Sequence, residues 1–440
     1  FFTMPSDSLV DSLGTWRRSH YSGDLGSVPP GQEVTVFGII ASIRNQGRIT
    51  FVILLDSQGL VQITIGNDAD EALQKRFGEL KEFSYIGVRG MPKKFPKAPG
   101  GVEIVPSQIK LLARPKTTPP FGLFSKQVPN LETRMDMRSI DLRRPAVQEI
   151  FRIRHDLLNN MRAYLSGNGY LEVTSPKIIS SATEGGAALF PILYFDKEGF
   201  LAQSPQVYKE QLVGAFEKVY EIGPIFRAEE SRTMRHLAET TSVDLEEAFV
   251  TFEDVMSTLE SLLVSAVAAV QKKNPLPKNN LSTDGRFTKI TYSDALNVLD
   301  KDGAHLEWGD DIAFTSLKIL ETRIKSPYFI THWPTSTKAF YIKPLDDKPE
   351  MSESFDLICG SLELASGGTR IDSREFLEKR LGEKGLNPRA FEYHLKSFDY
   401  AMPPHAGFGL GLDRLMMTLT GQENIREVVL FPRDQGRLAP

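Results

Sequence analysis

The chain has 440 residues, of which 41% are hydrophobic, 10% aromatic and 25% charged, a globular composition with room for two or three domains at roughly 150 residues each. That excludes a disordered tail, a collagen-like repeat and a disulfide scaffold, since Cys359 is the only cysteine and cannot form an intrachain bridge. The net charge of −4 splits into +4 for residues 1–150 (19 basic, 15 acidic) and −8 for residues 151–440 (33 basic, 41 acidic), so the small total hides an asymmetry and leaves nucleic acid open as a partner.

A single cysteine fits a reducing compartment, and a cytoplasmic protein is expected. The longest apolar stretch, near Leu262 to Val270, falls far short of the roughly 20 residues of a spanning helix, so no membrane segment is expected. Phe1 stands where an initiator methionine would be, which reads as a trimmed N-terminus. Residues 1–28 read as an extension without a signal-peptide layout.

From Gln32 onward, short β-rich runs follow at 33–42, 49–55, 60–65, 83–91 and 101–112, parted by turn signals such as Asn45-Gln46-Gly47 and Asp56-Ser57-Gln58-Gly59. With one helical stretch at 68–77, residues 29–114 suit a closed β-barrel of the OB type, any other small barrel being the alternative on strand count. Between Arg89 and Lys116 seven basic residues meet one acid, Glu103. Such a run is most often a solvated face, but beside Phe51 and Phe95 it also fits a surface for single-stranded nucleic acid. Residues 115–132, with Pro115, Pro119, Pro120 and Pro129, read as a linker.

A second domain is expected over 133–440. Apolar residues from Val147 to Leu165 recur at helical spacing, closed by Gly167-Asn168-Gly169. Strands are expected at 170–174, 200–203, 218–222, 242–250, 329–341, 354–365 and 404–411, with helices at 251–272 and 412–420. Clustered strands with helices in blocks predict an antiparallel sheet flanked by helices, an α+β domain. No G-x-x-x-x-G-K-[ST] loop occurs, so a nucleotide would be held without that cradle.

Three segments carry chemistry. Phe226-Arg227-Ala228-Glu229-Glu230, Arg235-His236-Leu237 and Asp244-Leu245-Glu246 place arginines and carboxylates around a polar loop between apolar strands, suited to phosphate, Mg²⁺ or an ammonium group. Asp356, Glu363, Ser366 and Arg370 follow. Residues seven apart on a strand point to opposite faces unless a bulge intervenes, so spacing alone leaves a shared metal site open. Gly407-Phe408-Gly409-Leu410-Gly411-Leu412-Asp413-Arg414 is a glycine-rich strand running into a helix, with an arginine where a phosphate could meet the helix start. Each alone has a plainer reading, as a surface ion pair or a packing device; their co-occurrence in order changes the odds.

In that order, and with Gly169-Tyr170-Leu171-Glu172-Val173-Thr174-Ser175-Pro176 before them, these segments resemble the motifs of class II (subclass b) aminoacyl-tRNA synthetases, the aspartate-type enzymes of archaeal and eukaryotic kind. The resemblance covers about Arg18 to Pro440. It implies activation of L-aspartate with ATP to an aspartyl-adenylate and transfer to the 3′ end of tRNA(Asp). It further implies a homodimer with Pro176 at the interface, and catalysis by alignment and charge neutralisation rather than by a protein nucleophile. For ATP it implies Arg227 on the α-phosphate and Arg414 on the γ-phosphate, with Glu229, Arg235, His236, Leu237, Gly411 and Phe408, the last as an adenine floor because Thr240-Thr241 stand where the family usually has an aromatic residue. Mg²⁺ is implied on Glu363 and Ser366, with Asp356 as a further ligand.

For the amino acid, Gln203-Ser204-Pro205-Gln206-Val207-Tyr208-Lys209 resembles the aspartate-type pattern. Lys209, aided by Arg370, is implied to pair with the substrate side-chain carboxylate, because a buried cation left without its anion disfavours asparagine. Gln206, Arg227 and Ser366 are expected beside it, and Glu184 and Asp244 around the ammonium. For tRNA the resemblance implies Phe51 stacking on an anticodon base, Gln62 bonding the central uridine, and Arg44 on the same loop. Ile39 after Gly38, and Pro99, replace a tryptophan and a lysine often found in enzymes restricted to tRNA(Asp), so tRNA(Asn) is expected as a second substrate. An asparaginyl-tRNA synthetase is the runner-up, opposed by Lys209 and Pro403-Pro404-His405; a non-charging RNA-binding paralogue is the third reading.

Overall fold

The computed structural model describes residues 10–47, 49–180, 189–228, 233–274, 276–277, 281 and 286–440. The chain divides into two compact units, Phe1–Pro145 and Ala146–Pro440.

In the first unit β1 (Val34–Gln46), β2 (Ile49–Leu55), β3 (Leu60–Ile65), β4 (Tyr85–Lys94) and β5 (Val102–Ala113) close into a barrel in the order β1-β2-β3-β5-β4. Alternation along the strands sends Val34, Val36, Ile40, Val52, Leu54, Val61 and Ile63 into its core. At Gly38 a Cβ would lie 2.4 Å from the Leu55 carbonyl oxygen, so the close passage of β1 over β2 requires a glycine. The helix Glu71–Gly78 begins later than its apolar spacing suggests because Asp70 caps it, accepting from the Ala72 N–H.

Residues 10–28 of the extension pack along this barrel. The Asp11 carboxylate accepts from the Leu111 N–H at 2.7 Å and pairs with Arg76. Trp16 is buried, with the Arg89 guanidinium 4.3 Å from its ring centre, and Lys110 Nζ donates to the Ser12 and Leu13 carbonyls. Two cations of the basic run are thereby engaged within the fold, and Phe95 is half-buried.

The second unit contains β6 (Leu171–Glu172), a small sheet of β7 (Ile178–Ile179), β8 (Pro191–Tyr194) and β9 (Lys197–Leu201), then β10 (Lys218–Phe226), β11 (Glu239–Ala248), β12 (Thr288–Thr291), β13 (Tyr328–Thr331), β14 (Ser354–Cys359), β15 (Leu362–Thr369) and β16 (His405–Gly411). Its main sheet has the order β12-β13-β14-β15-β16-β11-β10-β6. The six strands from β13 to β10 are antiparallel, and the edge strands β12 and β6 pair parallel. The helix Phe252–Lys273 lays Val255, Leu259, Leu262, Leu263, Ala266 and Val270 on one face of this sheet, beside residues from the helices Pro145–Gly167 and Leu412–Thr420. The opposite face carries the polar cavity.

Two of the expected long strands are interrupted. The strand at 329–341 stops at Thr331, since His332 takes φ 58° and Pro334 has no N–H for a ladder. The strand at 354–365 is two strands, β14 and β15, turning at Gly360 with φ 61°. No helix of the described residues is long and apolar enough to cross a membrane. Packing at the sheet centre leaves no slack: a Cβ at Gly367 would sit 2.5 Å from the Gly407 carbonyl oxygen and 2.7 Å from Phe355 Cζ, whereas one at Gly382, in the helix Arg374–Glu383, meets nothing within 4 Å. Gly367→Ala is expected to destabilise by about 1–3 kcal/mol and Gly382→Ala to stabilise by about 0.5–1 kcal/mol, compared by urea unfolding.

Candidate active site

Strand alternation builds the cavity. On β11, Ser242 and Asp244 line it while Val243 and Leu245 enter the core; on β16, Gly409 and Gly411 line it while Phe408 and Leu410 enter the core. The cavity holds about 450 Å³. Phe408 is fully buried in the core, so its ring offers no floor to a ligand, contrary to expectation. The glycine-rich strand also makes room inside the protein. A Cβ at Gly407 would lie 2.2 Å from Glu246 Oε2, so the missing side chain leaves space for a carboxylate of the chain itself.

That carboxylate joins two cations. Arg370 donates from Nε to Glu246 Oε1 at 2.8 Å and from Nη2 to Oε2 at 3.2 Å, while Lys209 Nζ lies 3.3 Å from Oε2. Lys209 also donates to Asp244 Oδ1 at 3.1 Å and to the Phe408 carbonyl at 3.2 Å. With 3% exposure and four acceptors around it, the fourth being the Leu245 carbonyl at 3.4 Å, Lys209 lies behind the cavity wall and not on it. Asp244 and Arg370 are on the wall. Burial works against the Arg370 charge, but the neighbouring Glu246 outweighs it and raises the guanidinium above its ordinary value.

Gln206 also lines the cavity. Its amide donates to Glu210 Oε1 at 2.6 Å and accepts from Arg370 Nη2 at 3.4 Å, which sets the orientation of the amide. Glu210 lies 3.1 Å from His394 Nε2. Burial opposes its charge, yet His394 and then His405 prevail and hold its carboxyl below the ordinary range.

The other part of the cavity is cationic around two oxygen donors. Arg227, Arg235, His236, Leu237 and Arg414 line it with Glu363 and Ser366. Arg414 donates to the Glu363 carbonyl at 3.0 Å and meets His236 Nε2 at 3.2 Å. Arginine can only donate, so His236 Nε2 accepts and its Nδ1–H points to Thr233 Oγ1, 2.6 Å away. Burial, then the Arg414 charge, hold the Arg235 guanidinium below its ordinary value. Arg414 is aimed by its neighbour: Asp413 pairs with Arg154 and accepts from the Thr241 N–H at 2.8 Å, fixing the helix start to β11.

A bulge resolves the spacing of the acidic residues. Across β14 and β15, Asp356 faces Ser366, Leu357 faces Ala365 and Ile358 faces Glu363, which leaves Leu364 as an extra residue. Residues three apart on a regular strand point to opposite faces; here the bulge turns Glu363 to the side of Ser366. Glu363 reaches solvent through the cavity but lies deep in the fold, and that burial, followed by the Asp356 carboxylate, pushes its carboxyl above the ordinary value. Asp356 is closed off, with both oxygens on Lys338 Nζ at 2.6 and 2.8 Å. Glu184 and Glu229 lie outside the described residues. Lys338, Glu210 and the double role of Glu246 were not anticipated; only the i, i+2 spacing of Asp244 and Glu246 on a strand signalled that Glu246 shares the cavity face.

On the barrel, Arg44 and Phe51 are cross-strand partners, Phe51 and Thr64 the next pair, and Gln62 pairs Glu103. Glu103 accepts from Gln62 Nε2 at 3.1 Å and from Thr64 Oγ1 at 2.7 Å, and Nε2 also meets Thr64 Oγ1 at 3.1 Å. Glu103 accepts only, so the amide nitrogen must face it, and Gln62 Oε1 remains as an acceptor. Arg44 is exposed and Phe51 half-buried. Ile39 is buried against Leu55, Phe83 and Leu123, so it offers no side chain to a ligand; Pro99 is half-buried in the turn Pro99–Gly101.

Comparison with known proteins agrees over nearly the whole chain. The family of class II tRNA synthetases (D, K and N) matches residues 130–435, and the OB-fold nucleic acid binding domain matches residues 34–112. The aspartate–tRNA(Asp/Asn) ligase of Archaeoglobus fulgidus is 44% identical over 427 residues, 96% of this chain and 99% of that protein. The ligase of the same name from Methanothermobacter thermautotrophicus is 44% identical over 97% of this chain and its own full length. Among solved structures, asparaginyl-tRNA synthetase from Pyrococcus horikoshii with asparaginyl-adenylate superposes with a TM-score of 0.89 at 31% identity, covering 93% of this chain and 97% of that one. Aspartyl tRNA synthetase from Entamoeba histolytica does so at 0.81 and 28%, covering 93% and 90%.

Glu246→Ala leaves two buried cations without their shared anion, and is expected to destabilise the protein by about 3–5 kcal/mol. Exposed Glu198→Ala is expected to stay within about 0.5 kcal/mol, both read from urea unfolding.

Proposed function

The chain belongs to the class II tRNA synthetases of the aspartate, lysine and asparagine group, and on that premise we propose that it is an aspartate–tRNA ligase that charges both tRNA(Asp) and tRNA(Asn). The observation that carries the amino-acid choice is the Arg370–Gln206 pair on the cavity wall, held from behind by Glu246 and Glu210. An aspartate side-chain carboxylate offers the guanidinium two acceptors and a negative charge, whereas the amide of asparagine offers one acceptor and no charge. Lys209 contributes one step back, by holding Asp244 and Glu246, and Asp244 is placed to receive the substrate ammonium.

In the reaction, the substrate α-carboxylate attacks the α-phosphorus of ATP and pyrophosphate leaves; a ribose hydroxyl at the 3′ end of tRNA then attacks the carbonyl carbon of the adenylate, loses its proton, and AMP leaves. Arg227 neutralises the α-phosphate, and Arg235, His236 and Arg414 take the β- and γ-phosphates. Arg235 and Arg414 repel each other while no anion lies between them, and a triphosphate relieves that repulsion. Among the described residues no group of three His, Cys, Asp or Glu side chains could hold a metal ion. Two oxygen donors facing one cavity, Glu363 and Ser366, suit Mg²⁺, which keeps waters and substrate phosphates as its remaining ligands. There it would spread the charge of the phosphates and of the departing pyrophosphate.

The barrel supplies the tRNA contact. Gln62 Oε1 is the acceptor that a uridine N3–H requires, with Phe51 as the stacking surface and Arg44 beside it. The relatives named for both tRNAs, at 44% identity, support use of tRNA(Asn). A homodimer about the β6 edge is part of this reading: Pro176 is exposed there between Leu171 and Ile178, each close to half exposed.

The test is an ATP/pyrophosphate exchange assay followed by charging. Exchange is expected with aspartate and not with asparagine, and aspartate is expected on transcripts of both tRNAs; a strictly asparagine-dependent exchange sinks the proposal. Gln62→Ala is expected to lower the charging of both tRNAs about tenfold, the factor of a hydrogen bond worth about 1.4 kcal/mol. Sedimentation equilibrium is expected to return a dimer of the 49.2 kDa chain, and a monomer at micromolar concentration removes that element.

A further inference from the structure

Among the described residues, five cations line the cavity: Arg227, Arg235, Arg370, Arg414 and Lys338. The four arginines have partners in the proposed reaction. Lys338 does not, and its ammonium is held by a carboxylate on the side of Glu363 and Ser366. Its Nζ lies 2.6 Å from Asp356 Oδ1 and 2.8 Å from Oδ2, so both oxygens of that carboxylate are taken. The same ammonium stands 4.5 Å from the centre of the Trp333 ring. Asp356 is 4% exposed and the Lys338 side chain 13%.

Asp356 lies opposite Ser366 and one bulge away from Glu363, on the face that would hold Mg²⁺. Carboxylates on one face of adjacent strands repel when both are charged, and Lys338 supplies a compensating charge on Asp356. A divalent cation that took Asp356 would have to break two charge-assisted hydrogen bonds and leave a partly buried ammonium uncompensated. Nucleotide phosphates entering with the metal remove that cost, because they offer the displaced ammonium new acceptors in the same cavity.

We infer that Lys338 is the resident counter-cation of the Asp356–Glu363 pair and makes divalent-cation binding conditional on nucleotide. Its ammonium holds Asp356 in the nucleotide-free protein and moves to phosphate oxygens when the metal arrives with ATP. Lys338 is thus a coupling residue, and this role rests on the ATP-dependent reading of the cavity given above.

The test uses Mn²⁺ as the probe, with free Mn²⁺ counted by electron paramagnetic resonance on the full chain. In the nucleotide-free protein Lys338→Met is expected to tighten Mn²⁺ binding about tenfold. A non-hydrolysable ATP analogue is expected to tighten it strongly in the wild type and much less in the variant. Unchanged or weaker binding by Lys338→Met without nucleotide overturns the inference. Asp356→Asn decides the matter if Lys338→Met does not fold. Without nucleotide it is expected to leave Mn²⁺ affinity within about twofold of wild type and to lower it once the analogue is present; a loss already without nucleotide shows Asp356 open to the metal and overturns the role of Lys338. Wild type lacking aspartate-dependent exchange would sink the functional reading, a result separable from the Mn²⁺ measurement.

Discussion

The site depends on one carboxylate shared by two buried cations. Glu246 sits on β11, Lys209 comes from the helix Gln206–Phe216 and Arg370 follows the end of β15, so the contact ties three separate parts of the chain at one end of the cavity. Its cost is desolvation of three charges. The surroundings offset part of that cost with the Asp244 carboxylate and the Phe408 carbonyl on Lys209 and the Gln206 amide on Arg370. It also explains Gly407, where any side chain would collide with Glu246. Charges fixed before a ligand enters need little rearrangement when one does, which is how such a cluster converts folding energy into selectivity.

The cationic part of the cavity follows the same logic with different parts. Asp413 binds Arg154 and the Thr241 N–H, so the turn from β16 into its helix is locked and the next residue, Arg414, points at Glu363 and His236. The one-residue bulge at Leu364 then decides which oxygens face the guanidiniums. Without it Glu363 would point into the apolar core; with it, a two-donor oxygen site stands among arginines. Lys338 completes the balance by neutralising Asp356 behind it.

Much of this was legible in the residues. Five β-rich runs with one helical stretch predicted the barrel, and closely spaced strands with helices in blocks predicted the antiparallel sheet, because strand runs and their turn signals are local features of the chain. The ordered segments from Phe226 to Arg414 located the cavity. Side-chain partners were less legible. Lys209 reads as a substrate contact from its motif, yet it is engaged by Asp244 and Glu246. Phe408 reads as a ligand floor, yet strand parity turns it into the core. Ile39 reads as the residue in place of a tryptophan, and its burial against Leu55, Phe83 and Leu123 is a matter of tertiary packing.

The sequence by itself determined the two fold classes, the family and many of the polar residues that line the cavity, since these follow from local periodicity and from motif order. Only the tertiary structure decided which of those polar groups pair with one another and which face the cavity. Pairing a lysine with an aspartate eighteen residues away, or turning a glutamate by one extra residue in a strand, depends on register and on the low dielectric of the interior, and neither can be read along the chain.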